Sequence, residues 1–281
     1  MTTRAEKRAE AQKKATELRA HQARQSRRNK ILAVTGVLVL IALVAFAVAI
    51  IIKDGHSKQA SVSATTTSTT QEWADFVRAE SVFPEKLPAN VNDQGGISLG
   101  SNMEAGTVNK GAPAVTIYYD YMCSWCNYLE SQYSSDLTQM ATNGDITLVY
   151  QPVAVIGDEF SIQAAAAEFY VAEHAPKLYA AFHDALFMTT IPVFLTEDYV
   201  GNQPSLENIT ATAAVVGMSD EEVNKLSEAV TNGTYDTFVE SANEQWRANG
   251  QQGTPGVLID DRQLVDWTDG KLLEYASEAA R

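Results

Sequence analysis

The chain has 281 residues, with 21 Lys and Arg against 35 Asp and Glu, a formal net charge of −14. That charge is sorted: residues 1–30 hold ten basic and three acidic residues (+7), residues 31–52 hold none, and the remainder carries −21. So acidic a main portion cannot neutralise a run of phosphates, which excludes nucleic acid as its partner. Its two cysteines, Cys123 and Cys126, exclude a disulfide-dense scaffold.

In chain order, residues 1–30 form a basic tail whose one large aliphatic side chain is Leu18. Without an apolar face it reads as a solvated orientation signal close to anionic lipid. Ile31 to Ile52 is 22 residues of apolar or small character, long enough to cross a hydrocarbon core as a helix. A cleavable signal peptide is the competing reading, because Ala45, Ala47 and Ala49 stand at A-x-A spacing. The apolar run nevertheless continues through Ile50, Ile51 and Ile52, past any such cleavage site. The expectation is one N-terminal transmembrane helix at 31–52, with the basic tail 1–30 cytoplasmic and the acidic portion outside the cell membrane. Residues 53–71 follow as a linker, in which nine of the residues from Ser57 to Gln71 are Ser or Thr and too little apolar area exists to order the chain.

Residues 72–281 are long enough for one full core. Trp73 to Pro88 reads as a short amphipathic segment, and the glycines from Gly95 to Gly111 as a hairpin or loop. Ala114 to Asp120 is β-branched and aromatic and predicts a buried strand. Trp125, Leu129, Tyr133, Leu137 and Met140 then recur at helical spacing up to Asn143-Gly144, and Ile146 to Ile156 predicts a second core strand. Strand, helix and strand make a βαβ unit with the cysteines at the strand-to-helix turn. Five helices are expected between about Phe160 and Asn249, the third capped by Ser205 and the fourth by the Ser219/Glu222 capping box. Val257 to Val265 reads as a hairpin turning at Asp260-Asp261, and a helix from about Asp269 to Ala280 closes the chain.

The Cys123-Ser124-Trp125-Cys126 motif carries the chemistry. Half a zinc site would need two more ligands, but there is no third cysteine and His21, His56, His174 and His183 show no ligand spacing, so no metal is expected. A haem attachment would need His where Asn127 stands. A purely structural disulfide is disfavoured, because closing so short a loop removes little unfolded-state entropy. A redox dithiol remains, its disulfide Cys123–Cys126 serving as the only cofactor. At a helix start the dipole and free backbone N–H groups favour a thiolate. Cys123 is therefore expected to be the exposed nucleophile, and Cys126, one turn further in, the buried resolving thiol. Asp120 either accepts backbone N–H bonds at the turn or tunes the thiolate. His174 and His183 read as surface or packing residues.

These residues resemble the thioredoxin superfamily, specifically the DsbA-like thiol-disulfide oxidoreductases. The resemblance rests on Tyr119-Asp120 before the cysteine motif, the long helical region between strands, and Gly253-Thr254-Pro255 before the last strand pair. It implies a thioredoxin fold over 72–281 with a helical insertion at about 158–250. It also implies that Pro255 is a cis-proline facing the cysteines and that the Thr254 backbone meets an extended substrate. Ser124-Trp125 departs from the Pro followed by His or Tyr of many family members, leaving Trp125 to dock unfolded chains or to cover the disulfide.

The function expected is a membrane-tethered, extracytoplasmic oxidase. Its partners would be unfolded secreted proteins with free thiols, a membrane redox recycling partner and membrane lipid. A disulfide reductase or isomerase, or a noncatalytic peptide-binding module, are the other readings. Because nearby negative charge disfavours a thiolate, the acidic residues are expected mostly away from the face bearing Cys123, Cys126 and Pro255.

Overall fold

In a computed structural model the chain is described over residues 72–195 and 203–281. The basic tail, the apolar span and the linker expected at 1–30, 31–52 and 53–71 lie outside the described residues. Among those described, no helix is long and apolar enough to cross a membrane.

Strand β3 (Ala114–Tyr119) lies inside a mixed sheet, with Val115, Ile117, Tyr118 and Tyr119 all buried, as befits a strand covered on both faces. Strand β4 (Thr147–Pro152) runs parallel to it on one side and β5 (Gly256–Ile259) antiparallel on the other. Strand β6 (Arg262–Leu264) pairs with β5 through a turn in which Asp260 takes a φ of 52°. The edges are β1 (Trp73–Asp75) on β6 and β2 (Ile97–Leu99) on β4, giving the order β1-β6-β5-β3-β4-β2. The segment read as amphipathic from Trp73 thus supplies an edge strand. Trp73 is fixed there by the Tyr275 ring at 4.9 Å and by the Arg262 guanidinium at 4.1 Å. Strand β4 is shorter than the run to Ile156 suggests, because its partner β3 ends at Tyr119, whose carbonyl accepts the Val153 N–H at 2.9 Å as the last bond between them.

Helix α1 (Ser124–Asn143) connects β3 to β4 and buries Leu129, Tyr133, Leu137 and Ala141 on one face. Gly144 ends it at a φ of 87°, where its N–H reaches back to Ala141 and Met140; a side chain would strain that left-handed turn. Between β4 and β5 stand α2 (Glu159–His174), α3 (Tyr179–Leu195), α4 (Leu206–Val215), α5 (Asp220–Thr231) and α6 (Asp236–Ala248). Helix α2 is the hub of this insert. Its alanines Ala164 to Ala167 are all buried and let α3, α4, α5 and α6 pack close on several sides. At the start of α5, Glu222 accepts the Ser219 N–H at 2.7 Å and Ser219 Oγ accepts the Glu222 N–H at 3.4 Å. Helix α7 (Lys271–Ala279) closes the chain.

Candidate active site

Strand β3 ends at Tyr119, and Asp120, Tyr121 and Met122 turn the chain into α1. Cys123 is the N-cap, with φ −91° and ψ 117°, and its Sγ accepts the Cys126 N–H at 3.3 Å. A sulfur in this position faces the unpaired amides and positive pole of a helix start. The Cys123 thiol is brought down from 9.0 to about 6, chiefly by the hydrogen bond from the Cys126 thiol, against burial, with the Thr254 side chain and the Cys126 and Trp125 amides assisting. Burial drives Cys126 the other way, well above 9.0, and the hydrogen bond and charge of Cys123 add to it. The opposed shifts give one sulfur the anion and the other the proton.

The expectation of an exposed Cys123 is corrected: it is 8% exposed, against 2% for Cys126. The cause is the loop before β5, where the Thr254-Pro255 bond is cis and the Thr254 carbonyl accepts from Cys123 Sγ at 3.2 Å. Beside the cysteines, and not lined by either of them, runs a groove of about 610 Å³ bordered by Trp125, Gly253, Thr254, Pro255, Val265 and Trp267. Ser124 is exposed at the first position of α1. Trp125 is 58% exposed and meets Tyr128 and Trp267 edge to face at 5.7 and 6.2 Å. Asp75 and Asp266 also reach this groove, and Asp266 is bound by Lys271 at 2.6 Å. The active face is therefore not free of acids, although one of the two is paired.

Asp120 is fully buried and acts as a junction. Its Oδ1 accepts from Met122 N–H at 2.9 Å and Ser161 Oγ at 2.5 Å, and its Oδ2 from Ile156 N–H at 3.0 Å. Burial raises its carboxyl above 3.8 despite these bonds. The turn before Cys123, the strand exit after β4 and the start of α2 are thereby tied to one side chain.

Behind the cysteines lies a polar layer that local sequence patterns did not reveal. The Asn127 amide donates to the Tyr121 and Cys123 carbonyls, both at 3.1 Å, and accepts from Thr190 Oγ1 at 2.6 Å. Tyr121 OH donates to Glu168. His183, completely buried, stacks on Tyr150 at 3.7 Å and stands between Glu168 and Glu130. Burial pulls its pKa down, but the two carboxylates outweigh burial and lift it from 6.5 to about 10. Its ring thus meets two carboxylates in the core rather than apolar packing alone, whereas the His174 side chain is 51% exposed. One signal was available: Glu130 falls four residues after Cys126, which puts a charge on the inward face of α1. Trp267 carried no such signal, because only the hairpin brings it to Trp125.

A family model described as Thioredoxin matches residues 105–274. The MdbA protein, a thiol-disulfide oxidoreductase from Actinomyces oris, is similar in structure, with 26% identity and a TM-score of 0.59 over 68% of this chain and 89% of that one. DsbA from Mycobacterium tuberculosis is 21% identical with a TM-score of 0.51, over 66% of this chain and 92% of its own, a likeness of fold. In sequence, 180 residues are 24% identical to the serine/threonine-protein kinase PknE of Mycobacterium tuberculosis, covering 62% of this chain and 30% of that protein. The match thus spans less than a third of that curated relative. The chain belongs to the thioredoxin family, as a DsbA-like thiol-disulfide oxidoreductase with a helical insert.

Proposed function

We propose that the protein introduces disulfides into secreted chains outside the cytoplasm, as the outward domain of a single-pass membrane protein. The observation that carries this reading is the Cys123 sulfur at the N-cap of α1, with its pKa lowered to about 6. In the oxidised protein a substrate thiolate attacks Cys123 Sγ, the Cys123–Cys126 bond breaks, and Cys126 leaves with the electron pair and takes a proton. A second substrate thiolate then attacks the substrate sulfur of the mixed disulfide. It releases Cys123 as a thiolate, and the low pKa makes that a good leaving group. Two substrate thiols become a disulfide and the cysteine pair gains two electrons, which a membrane redox partner must remove.

The aromatic groove beside Thr254 and Pro255 suits an extended, unfolded chain with apolar side chains. The tether is supported by the uncharged run at 31–52 and the basic residues before it. The test uses the full-length oxidised protein and a reduced, unfolded secreted protein under anaerobic conditions. One substrate disulfide should form per Cys123–Cys126 pair reduced, and Cys123→Ser should abolish the reaction. Failure of the wild type to oxidise the substrate rejects the oxidase reading. For the tether, protease added to intact cells should digest the domain carrying Cys123 and spare the basic tail.

A further inference from the structure

We propose that Glu130, His183 and Asp184 form a binding site for a borderline divalent cation of the Zn²⁺ type, set between the catalytic helix α1 and helix α3 of the insert. One donor atom from each of the three lies within 4.8 Å of the others. His183 Nε2 is 3.7 Å from Glu130 Oε2, too far for a hydrogen bond. It is a natural separation for two ligands that each stand about 2.0–2.2 Å from a shared ion.

Two buried atoms have no hydrogen-bond partner and belong to this cluster: His183 Nε2, on a completely buried ring, and Glu130 Oε1. The opposite ring nitrogen is arranged differently. His183 Nδ1 faces the Glu168 carboxylate at 3.5 Å and the Tyr121 hydroxyl at 3.3 Å. A metal-bound histidine commonly directs its other N–H to a carboxylate, which fixes the tautomer and aims the free nitrogen at the metal. Here the link to the carboxylate runs through the Tyr121 hydroxyl, which contacts Nδ1 and donates to Glu168.

Charge points the same way. Glu130, Glu168 and Asp184 surround one imidazole, and among the described residues neither Glu130 nor Glu168 pairs with a Lys or Arg. There is also an entrance: Glu130 and Asp184 line a cavity of about 450 Å³, walled on one side by Asn127, Ser131 and Ser134 and on the other by apolar residues such as Phe187 and Met188, with His183 behind it. Asp184 lies on its exposed side. A hydrated ion can enter there and keep a water as its fourth ligand. One imidazole with two carboxylates suits Zn²⁺ better than Ca²⁺ or Mg²⁺, which take oxygen donors. The cysteines are not part of the donor set. Because Glu130 lies one turn beyond Cys126, a bound ion would clamp the insert onto the helix that carries the redox pair.

The test takes the full-length protein in detergent, oxidised so that no thiol is available, treated with chelator and titrated calorimetrically with Zn²⁺. One equivalent should bind and raise the thermal unfolding midpoint, and Co²⁺ should give visible ligand-field bands without a thiolate charge-transfer band. Asp184→Ala and Glu130→Gln should each weaken Zn²⁺ at least about tenfold. Asp184 is exposed, so its variant keeps the test valid if changes at Glu130 disturb folding. Absence of Zn²⁺ binding would mean that the His183 imidazolium alone balances the carboxylates, and overturns the site. So would binding that neither substitution weakens. The readout is metal binding, so it stands or falls separately from disulfide oxidation.

Discussion

Lowering the Cys123 thiol from 9.0 to about 6 makes a quantitative demand on the reduced protein. A group whose folded pKa is depressed stabilises the folded state fully above its unfolded pKa, and that contribution is lost as pH falls through the folded value. The window here runs from 9.0 down to about 6. The ratio of the two binding polynomials then gives about 1.4 kcal/mol at pH 7 and about 0.1 kcal/mol or less at pH 5. Cys126, pushed well above 9.0, stays protonated through that window and adds nothing. Oxidation removes the thiolate, so the effect belongs to the reduced form alone. It favours reduction by about 30 mV for a two-electron couple, in the direction of a stronger oxidant. The assay compares guanidinium unfolding of reduced and oxidised protein at pH 5 and pH 7, alongside an ultraviolet titration of thiolate absorbance. The reduced protein should gain about 1.3 kcal/mol more than the oxidised one between those pH values. The titration midpoint should lie near 6, and Cys126→Ala should raise it by removing the largest stabilising contact. A wild-type midpoint at or above about 8, within the range of an unperturbed thiol, would refute the reasoning.

Leu137, completely buried on α1, should cost about 2–5 kcal/mol when changed to Ala, measured by chemical denaturation; a loss under about 1 kcal/mol would mean that this helix face is not packed. Asp120→Ala leaves the Met122 and Ile156 N–H groups without their acceptor and should cost about 1–3 kcal/mol for each that stays buried. Unchanged unfolding of that variant would remove Asp120 from its place as a junction. Trp125→Ala, at a side chain 58% exposed, should shift stability by no more than about 1 kcal/mol through its ring contacts. It should also raise the KM for an unfolded substrate severalfold, and an unchanged KM would set aside the aromatic groove as a docking surface.

Much of the framework was legible because it is written in local patterns. Apolar spacing from Trp125 to Met140 and the Gly144 stop define α1, and the Ser219/Glu222 box marks the start of α5. The hairpin at Asp260 and the Cys123 to Cys126 motif are equally local. What escaped depends on contacts between residues distant in the chain. Trp73 makes an edge strand because β6 and Tyr275 are there to receive it, and three residues are too few for alternation to register. The covering of Cys123 by Thr254 is likewise a property of two segments, and neither alone predicts it. Glu168 and His183 sit in helices whose other buried residues are mostly apolar, so their side chains find partners only when α2 and α3 meet α1.

The sheet ends in strands of three residues on both sides, β1 at one edge and β2 at the other. Each margin therefore offers only a few free backbone donors and acceptors, too short a template for another chain to zip onto. For a protein proposed to handle unfolded polypeptides, that brevity separates two kinds of contact. A client can be held by side chains and a sulfur near Pro255 and then released, while the margins of the sheet give it little on which to seed aggregation.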